Sequence, residues 1–167
     1  MPREMKTHHL YHTPEGFDDI ILEMDDDVLT GLWFVGSRPI ETQCIASLQT
    51  PIIRWLDIYF SGHQPDFTPT YRLDNLTPFR KMVLDIVCEI PFGQTRTYGD
   101  IAQRIASPHT KKMSAQAVGG AVGWNPICLI VPCHRVMGAN GKLTGYGGGI
   151  HNKIALLKLE GHETFTI

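Results

Sequence analysis

Nowhere in the 167 residues does an apolar run approach the roughly 20 residues that a membrane-spanning helix requires. The opening Met1-Pro2-Arg3-Glu4-Met5-Lys6 runs into polar sequence with His8-His9 and lacks the apolar core of a signal peptide. Together these predict a cytoplasmic protein with no membrane partner. Cysteine is scarce: Cys44, Cys88, Cys128 and Cys133 are too few and too scattered for a disulfide framework. Charged residues are only 19% against 43% hydrophobic, which excludes a disordered chain. Internal repeats are absent, and the length suits one ordinary core or two small ones sharing an interface.

A net charge of -2 argues against a nucleic-acid partner until it is divided along the chain. Residues 1–76 hold 5 Lys/Arg against 12 Asp/Glu, net -7, whereas residues 77–167 hold 10 against 5, net +5. A basic half beside an acidic one is the pattern expected of a protein that turns one face to a polyanion.

Ile20–Met24 and Val28–Val35 read as two strands joined by Asp25-Asp26-Asp27, a solvated hairpin tip rather than a metal site. Pro51 opens a helix on which Ile52, Ile53, Leu56, Tyr59 and Phe60 recur at helical spacing before Ser61-Gly62. Residues 61–76, rich in Pro, Gly and Thr, look like a linker. Thr77-Pro78 caps the next helix, with Met82, Val83, Ile86, Val87 and Ile90 expected on one face. Tyr98 to Ala106 forms a short helix broken by Ser107-Pro108. Ser114 caps another from Ala115 to Gly123, and the two helices suit a helix-turn-helix. The latter carries almost no side chain, a cost of about 1 kcal/mol per glycine. Either it packs tightly within its own domain or it is slim enough for a DNA minor groove. Ile127–Val131 reads as a buried strand delivering Pro132-Cys133-His134-Arg135. A turn at Ala139-Asn140-Gly141, a glycine-rich loop and a helix from Ile150 to Glu160 complete the chain.

Cys133 is the candidate nucleophile. Only the thiolate attacks, so a neighbouring base or cation must lower a thiol pKa of about 8.5. His134 and Arg135 supply both types, although adjacent residues in extended chain point opposite ways. Glu160, in the last turn of its helix, opposes the helix dipole; it either orients His134 or is simply solvated. Across a strand, Cys128 and Cys133 would stand about 16 Å apart on opposite faces, so Cys133 is expected to be a free thiol. A zinc site is the rival use of these residues. It needs four ligands, and Cys128, Cys133, His134 and a distant His151 make a poor set, so no metal is expected. His8, His9 and His12 are expected to be exposed.

These motifs together resemble a known family. Ala117-Val118-Gly119-Gly120-Ala121, Asn125-Pro126, Pro132-Cys133-His134-Arg135-Val136 and Thr144-Gly145-Tyr146-Gly147-Gly148-Gly149, with Pro91-Phe92-Gly93 and Thr97-Tyr98-Gly99 upstream, look like the methylated-DNA–protein-cysteine methyltransferases, or O6-alkylguanine-DNA alkyltransferases. The match is ordered over about 77–162 and loose over 1–76. The resemblance implies an α+β chain: a ribonuclease-H-like α/β domain with a small antiparallel sheet at 1–76, and a helix-turn-helix or winged-helix-like alkyltransferase domain at 77–167. It implies single-turnover transfer of the alkyl group of O6-methylguanine, less readily O4-methylthymine, to Cys133 without a cofactor. Catalytic roles fall on Cys133, on His134 and Glu160 as a proton relay through water, on Tyr98 as donor to the departing guanine, and on Asn125 as a tie to the active-site strand. Val136, Tyr146 and Gly147 would hold the base. Gln116, Ala117, Tyr98, Gly99 and Arg135 would contact duplex DNA entered from the minor groove, with the base flipped, by a monomer in the family's manner.

Two positions depart from the family pattern. Gln116 stands where many relatives have an intercalating arginine, and Cys128 where several have a pocket proline. Two other classes compete: a non-catalytic damage-binding protein, whose relatives replace the acceptor cysteine that this chain keeps, and a thiol hydrolase or redox enzyme, which would turn over repeatedly.

Overall fold

The computed structural model describes residues 6–37, 50–106 and 114–163. Cys44 and the Ser107-Pro108 helix break lie outside them. The chain is mixed helix and sheet with the two kinds of element largely segregated, as the α+β reading anticipates.

Three antiparallel strands, β1 (Lys6–Tyr11), β2 (Ile20–Asp25) and β3 (Val28–Phe34), form a sheet in that order. The predicted hairpin is therefore present. Its acidic turn places Asp26 at positive φ, and Asp25 is paired with Arg72 at 2.9 Å. β1 was not anticipated. His8 and His9 sit buried in it rather than exposed, and His8 lies 3.1 Å from Glu23 on the neighbouring strand. A polar strand is stable there because its backbone pairs with the apolar β2. Gly31 is required in β3, since a Cβ there would stand 2.5 Å from the Trp33 ring.

Helix α1 (Pro51–Phe60) starts at its proline and buries Ile52, Trp55, Leu56, Tyr59 and Phe60, a stripe at three- and four-residue spacing. The segment after it is packed rather than loose: Pro65 and Pro69 are buried, and the Tyr71 region pairs with β3 through Leu29. Helix α2 (Pro78–Cys88) is capped by the Thr77 side chain, as expected. Its inward face is Val83, Leu84 and Val87, while Met82 is half exposed and points away from the core. Leu84 rather than Met82 follows the period of the buried stripe.

Strand β4 (Arg96–Thr97) leads into α3 (Tyr98–Ile105), which opens on a capping box between Thr97 and Asp100. Ser114 caps α4 (Ala115–Trp124), and α2, α3 and α4 pack on one another. Cys133–Arg135 is a single 3-10 turn followed by β5 (Val136–Met137), parallel to β4. Helix α5 (Ile150–Leu159) ends at Glu160 and Gly161. One continuous buried cluster runs from β2 and β3 through α1 to α2, α3 and α4, so both halves of the chain share a core.

The largest departure from expectation is Ile127–Val131, which is a tight turn and not a strand. Leu129 adopts φ 70°, and Ile130 N–H donates to Cys128 O at 2.8 Å. Short apolar runs of this kind carry no periodicity that separates a strand from a buried turn. The edge of β3 holds the start of the turn: Leu32 N–H donates to Pro126 O at 2.9 Å, and Cys128 N–H donates to Leu32 O at 3.0 Å.

Candidate active site

Asn125 organises the approach to Cys133. It ends α4, accepts from Ile127 N–H through Oδ1 at 3.0 Å, and donates through Nδ2 to Ile127 O at 3.2 Å and Val131 O at 3.0 Å. Its side chain thus substitutes for the backbone pairing that an irregular buried turn lacks. The turn returns Cys133 to the side of Cys128, and both cysteines line one cavity of about 240 Å³ with Trp33, Tyr98, Tyr146 and Gly147. The expected 16 Å separation across a strand does not hold. Cys88, Cys128 and Cys133 are all free thiols.

The Cys133 thiol is brought down to about 7. A hydrogen bond from Cys128 is the largest cause; burial opposes it, and Asn125, Tyr146 and the charge of Lys153 add to the lowering. The Tyr146 hydroxyl is 3.9 Å from Sγ. Lys153, fully buried on α5, donates to Val136 O at 2.8 Å, and burial takes its ammonium down to about 8.

Behind the cysteine lies a second, fully enclosed cluster. His134 Nε2 is 2.6 Å from Glu160 Oε2. Burial lowers the imidazole pKa, against the pull of the carboxylate. Because the carboxylate only accepts, neutral His134 must carry its proton on Nε2, which leaves Nδ1 as a bare acceptor. That Nδ1 is buried and makes no hydrogen bond to any described protein group. Burial works against ionisation of Glu160, but the hydrogen bonds and charges of His134 and Arg135 outweigh it and hold the carboxyl well below the usual range.

Glu160 has further donors. Arg135 reaches it through Nε at 2.8 Å and Nη2 at 3.0 Å, and Gly93 N–H donates at 3.1 Å. The Tyr59 hydroxyl donates to Oε2 at 2.6 Å. Arg135 therefore turns into the protein, against the expectation that it reaches outward to DNA. It is buried, and its Nη1 donates to Ile90 O at 2.8 Å. A buried carboxylate beside it is a stronger claim on the guanidinium than solvent or a phosphate. Val136 is likewise fully buried, its carbonyl accepting from Lys153 and its N–H donating to Cys133 O.

Other predicted residues gather at the mouth. Tyr98, Gly99 and Gln116 line one groove with Thr144 and Gly145, next to the Cys133 cavity. The Tyr98 hydroxyl accepts from Thr144 Oγ1 at 3.3 Å, leaving its own proton to donate. Gln116 and Ala117 are exposed on α4, and a Cβ at Gly120 or Gly123 would meet nothing within 4 Å. The slim face of α4 is thus open at these positions, while Gly119 lies against the Tyr98 ring. Gly147 is exposed on the loop, and Gly148 must be glycine because a Cβ would stand 2.8 Å from the Phe34 and Tyr146 rings. Asn152 fixes this loop, donating to Gly148 O at 2.6 Å and to Asp18 Oδ2 at 3.0 Å.

Sequence reasoning missed Tyr59 and Lys153 as site residues. Lys153 carried a usable signal: it stands three and four residues before the buried Leu156 and Leu157, on the core stripe of α5. Tyr59 carried none beyond its place on an apolar face.

A free thiol of lowered pKa in an open cavity, with a buried histidine–carboxylate pair next to it in sequence and a glycine-rich helix alongside, defines a cysteine-centred site. Comparison with known proteins agrees. Residues 78–162 match the family model described as 6-O-methylguanine DNA methyltransferase, DNA binding domain. The methylated-DNA–protein-cysteine methyltransferase of Mycobacterium leprae is 46% identical over 111 residues, 66% of this chain and 64% of that protein's length. The crystal structure of Mycobacterium tuberculosis O6-methylguanine methyltransferase is 39% identical, with a TM-score of 0.78 and 93% of each chain covered. That of Mycobacterium tuberculosis OGT in complex with DNA is 40% identical, with a TM-score of 0.77 and 92% of each chain covered. The chain belongs to the 6-O-methylguanine DNA methyltransferase family.

Proposed function

We propose that the protein repairs alkylated DNA directly, moving the alkyl group from O6 of guanine, and less readily from O4 of thymine, to Cys133 Sγ. One observation carries this reading: the cavity thiol has a lowered pKa, and a buried imidazole behind it presents an unpartnered Nδ1. Sγ attacks the alkyl carbon, an S–C bond forms, and the C–O6 bond breaks with its electron pair leaving on guanine. The thiol proton passes through water to His134 Nδ1, and Glu160 stabilises the imidazolium. Tyr98 donates a proton toward N3 of the departing base, offsetting its negative charge. The thioether is not reduced back, so each molecule acts once and needs no cofactor.

The target atom lies inside the duplex, so the nucleotide is rotated into the cavity. The open face of α4 enters the minor groove, with Gln116 filling the vacated stack, and Tyr146 and Gly147 bound the extruded base. Residues 1–76 form a ribonuclease-H-like domain and 77–167 the alkyltransferase domain, acting as a cytoplasmic monomer. No helix among the described residues is long and apolar enough to cross a membrane.

The test is incubation with duplex DNA containing O6-methylguanine, then tryptic mass spectrometry. The peptide Met113–Arg135 contains both Cys128 and Cys133, so fragmentation must assign the adduct. One methyl on Cys133 is expected. A methyl on Cys128, or loss of the lesion with both thiols free, contradicts the reading.

A further inference from the structure

We propose that Tyr59 is a positioning residue for alkyl transfer, acting through Glu160 to restrain the basicity of His134 and so set the pH at which Cys133 becomes a thiolate. The proposal rests on the reading above for its substrate, but not for its effect on the thiol.

Tyr59 comes from α1, in the half of the chain that the family model does not match. It is fully buried, its ring stacked on Trp55 at 5.4 Å and 6° and met edge-on by Phe60 and Phe92. The ring is thus held by three aromatic neighbours, and its hydroxyl has a fixed aim. That aim is Glu160 Oε2 at 2.6 Å, the same oxygen His134 Nε2 approaches at 2.6 Å. The phenol oxygen is also 3.4 Å from Nε2. Burial and the adjacent carboxylate push the phenol well above its ordinary pKa, so it donates at every relevant pH.

Glu160 accepts from five donors: Tyr59 O–H, His134 Nε2–H, two nitrogens of Arg135, and Gly93 N–H. Each draws charge from the carboxylate, and what one takes is lost to the others. When His134 accepts the thiol proton, the imidazolium depends on this carboxylate for its counter-charge. Tyr59 therefore lowers the affinity of His134 for that proton. Removing its hydroxyl leaves the carboxylate held by Arg135 and Gly93, so the geometry survives and only the charge is redistributed. The charged and titratable groups around the pair are Arg135 on the 3-10 turn and Lys153 on α5, with Cys128 and Tyr146 facing Cys133 and Cys88 on α2 within electrostatic reach of Arg135 and Cys133; none changes in the variant.

The experiment compares full-length protein with Y59F, following the pH dependence of Cys133 alkylation by iodoacetamide without DNA and of single-turnover methyl transfer with DNA. In Y59F the acid-side midpoint is expected to fall by about half a pH unit, threefold in proton concentration. This is the share of one charge-assisted hydrogen bond that passes to one of four remaining donors. DNA affinity should not change. Site-specific 3-fluorotyrosine at position 59, a stronger donor, should move the midpoint the other way and also serves if Y59F folds poorly. Y11F, which removes a tyrosine–carboxylate bond of 2.7 Å to Asp57 outside the site, should leave the profile where it is. An unmoved midpoint in both Tyr59 variants, or an upward shift in Y59F, overturns the proposal. A shifted alkylation profile in a protein that takes no methyl from DNA would retain Tyr59's role and reject the proposed repair function instead.

Discussion

Replacing Arg135 with methionine separates an internal ion pair from a DNA contact. Methionine keeps most of the apolar stem but none of the donors. The substitution removes the bonds to Glu160 at 2.8 and 3.0 Å and orphans Ile90 O, which accepts at 2.8 Å. Glu160, with its side chain fully enclosed, keeps only His134, Tyr59 and Gly93 against a charge that burial opposes. Breaking one partner out of a buried pair costs about 3–5 kcal/mol. In a chain of this size that lowers Tm by on the order of 10 °C. The pH dependence has a definite sign. Glu160 is held below its unfolded pKa, so its stabilisation is present above that value and is lost as pH falls through the folded one. Without Arg135 the folded pKa rises, and acid unfolding moves to higher pH. Urea denaturation from pH 4 to 8 and the salt dependence of duplex binding are the assays. Stability should fall as stated while the slope of log K against log salt stays constant. If instead stability is retained and the slope drops by about 0.9, the guanidinium meets a phosphate and the buried pair is wrong.

Further outcomes follow from the other contacts. Cys128→Ala removes the largest contribution to the low Cys133 pKa, so the iodoacetamide profile should move upward from a midpoint near 7; an unchanged midpoint rejects that contribution. Asn125→Ala strands Ile127 N–H and the carbonyls of Ile127 and Val131, which should cost about 2–4 kcal/mol in urea unfolding. Gln116→Arg adds a cation to the exposed face of α4 and should tighten duplex binding with a salt slope steeper by about 0.9. If affinity and repair rate are both unaltered, Gln116 does not enter the duplex.

Local chemistry was the legible part of this chain. Thr77-Pro78, Ser114 and Gly161 mark helix ends through bonds made within a few residues, and the structure has those ends. Cys133 and His134 could be paired in advance because the motif around the cysteine is contiguous, whereas Glu160, 26 residues beyond His134, is joined to them only by the family resemblance. The direction of Arg135 could not: its partner is 25 residues away, and a cation beside a nucleophile serves equally well facing in or out. Tyr59 and Glu160 are separated by 101 residues, so a tyrosine at an apolar helix position gave no sign of its hydroxyl's partner. His8 and His9 failed for a related reason, since what buries a polar strand is its neighbour β2. The turn at Leu129 fooled pattern reading because a buried non-glycine residue at positive φ is uncommon.

The most direct test of the account is stoichiometric. Protein is mixed with a large excess of duplex carrying O6-methylguanine, and lesions removed are counted over hours beside Cys133→Ser. The account predicts a single burst equal to the amount of active protein, no further repair, and no burst from the serine variant. Continued turnover beyond one lesion per molecule, or a burst from Cys133→Ser, would contradict it.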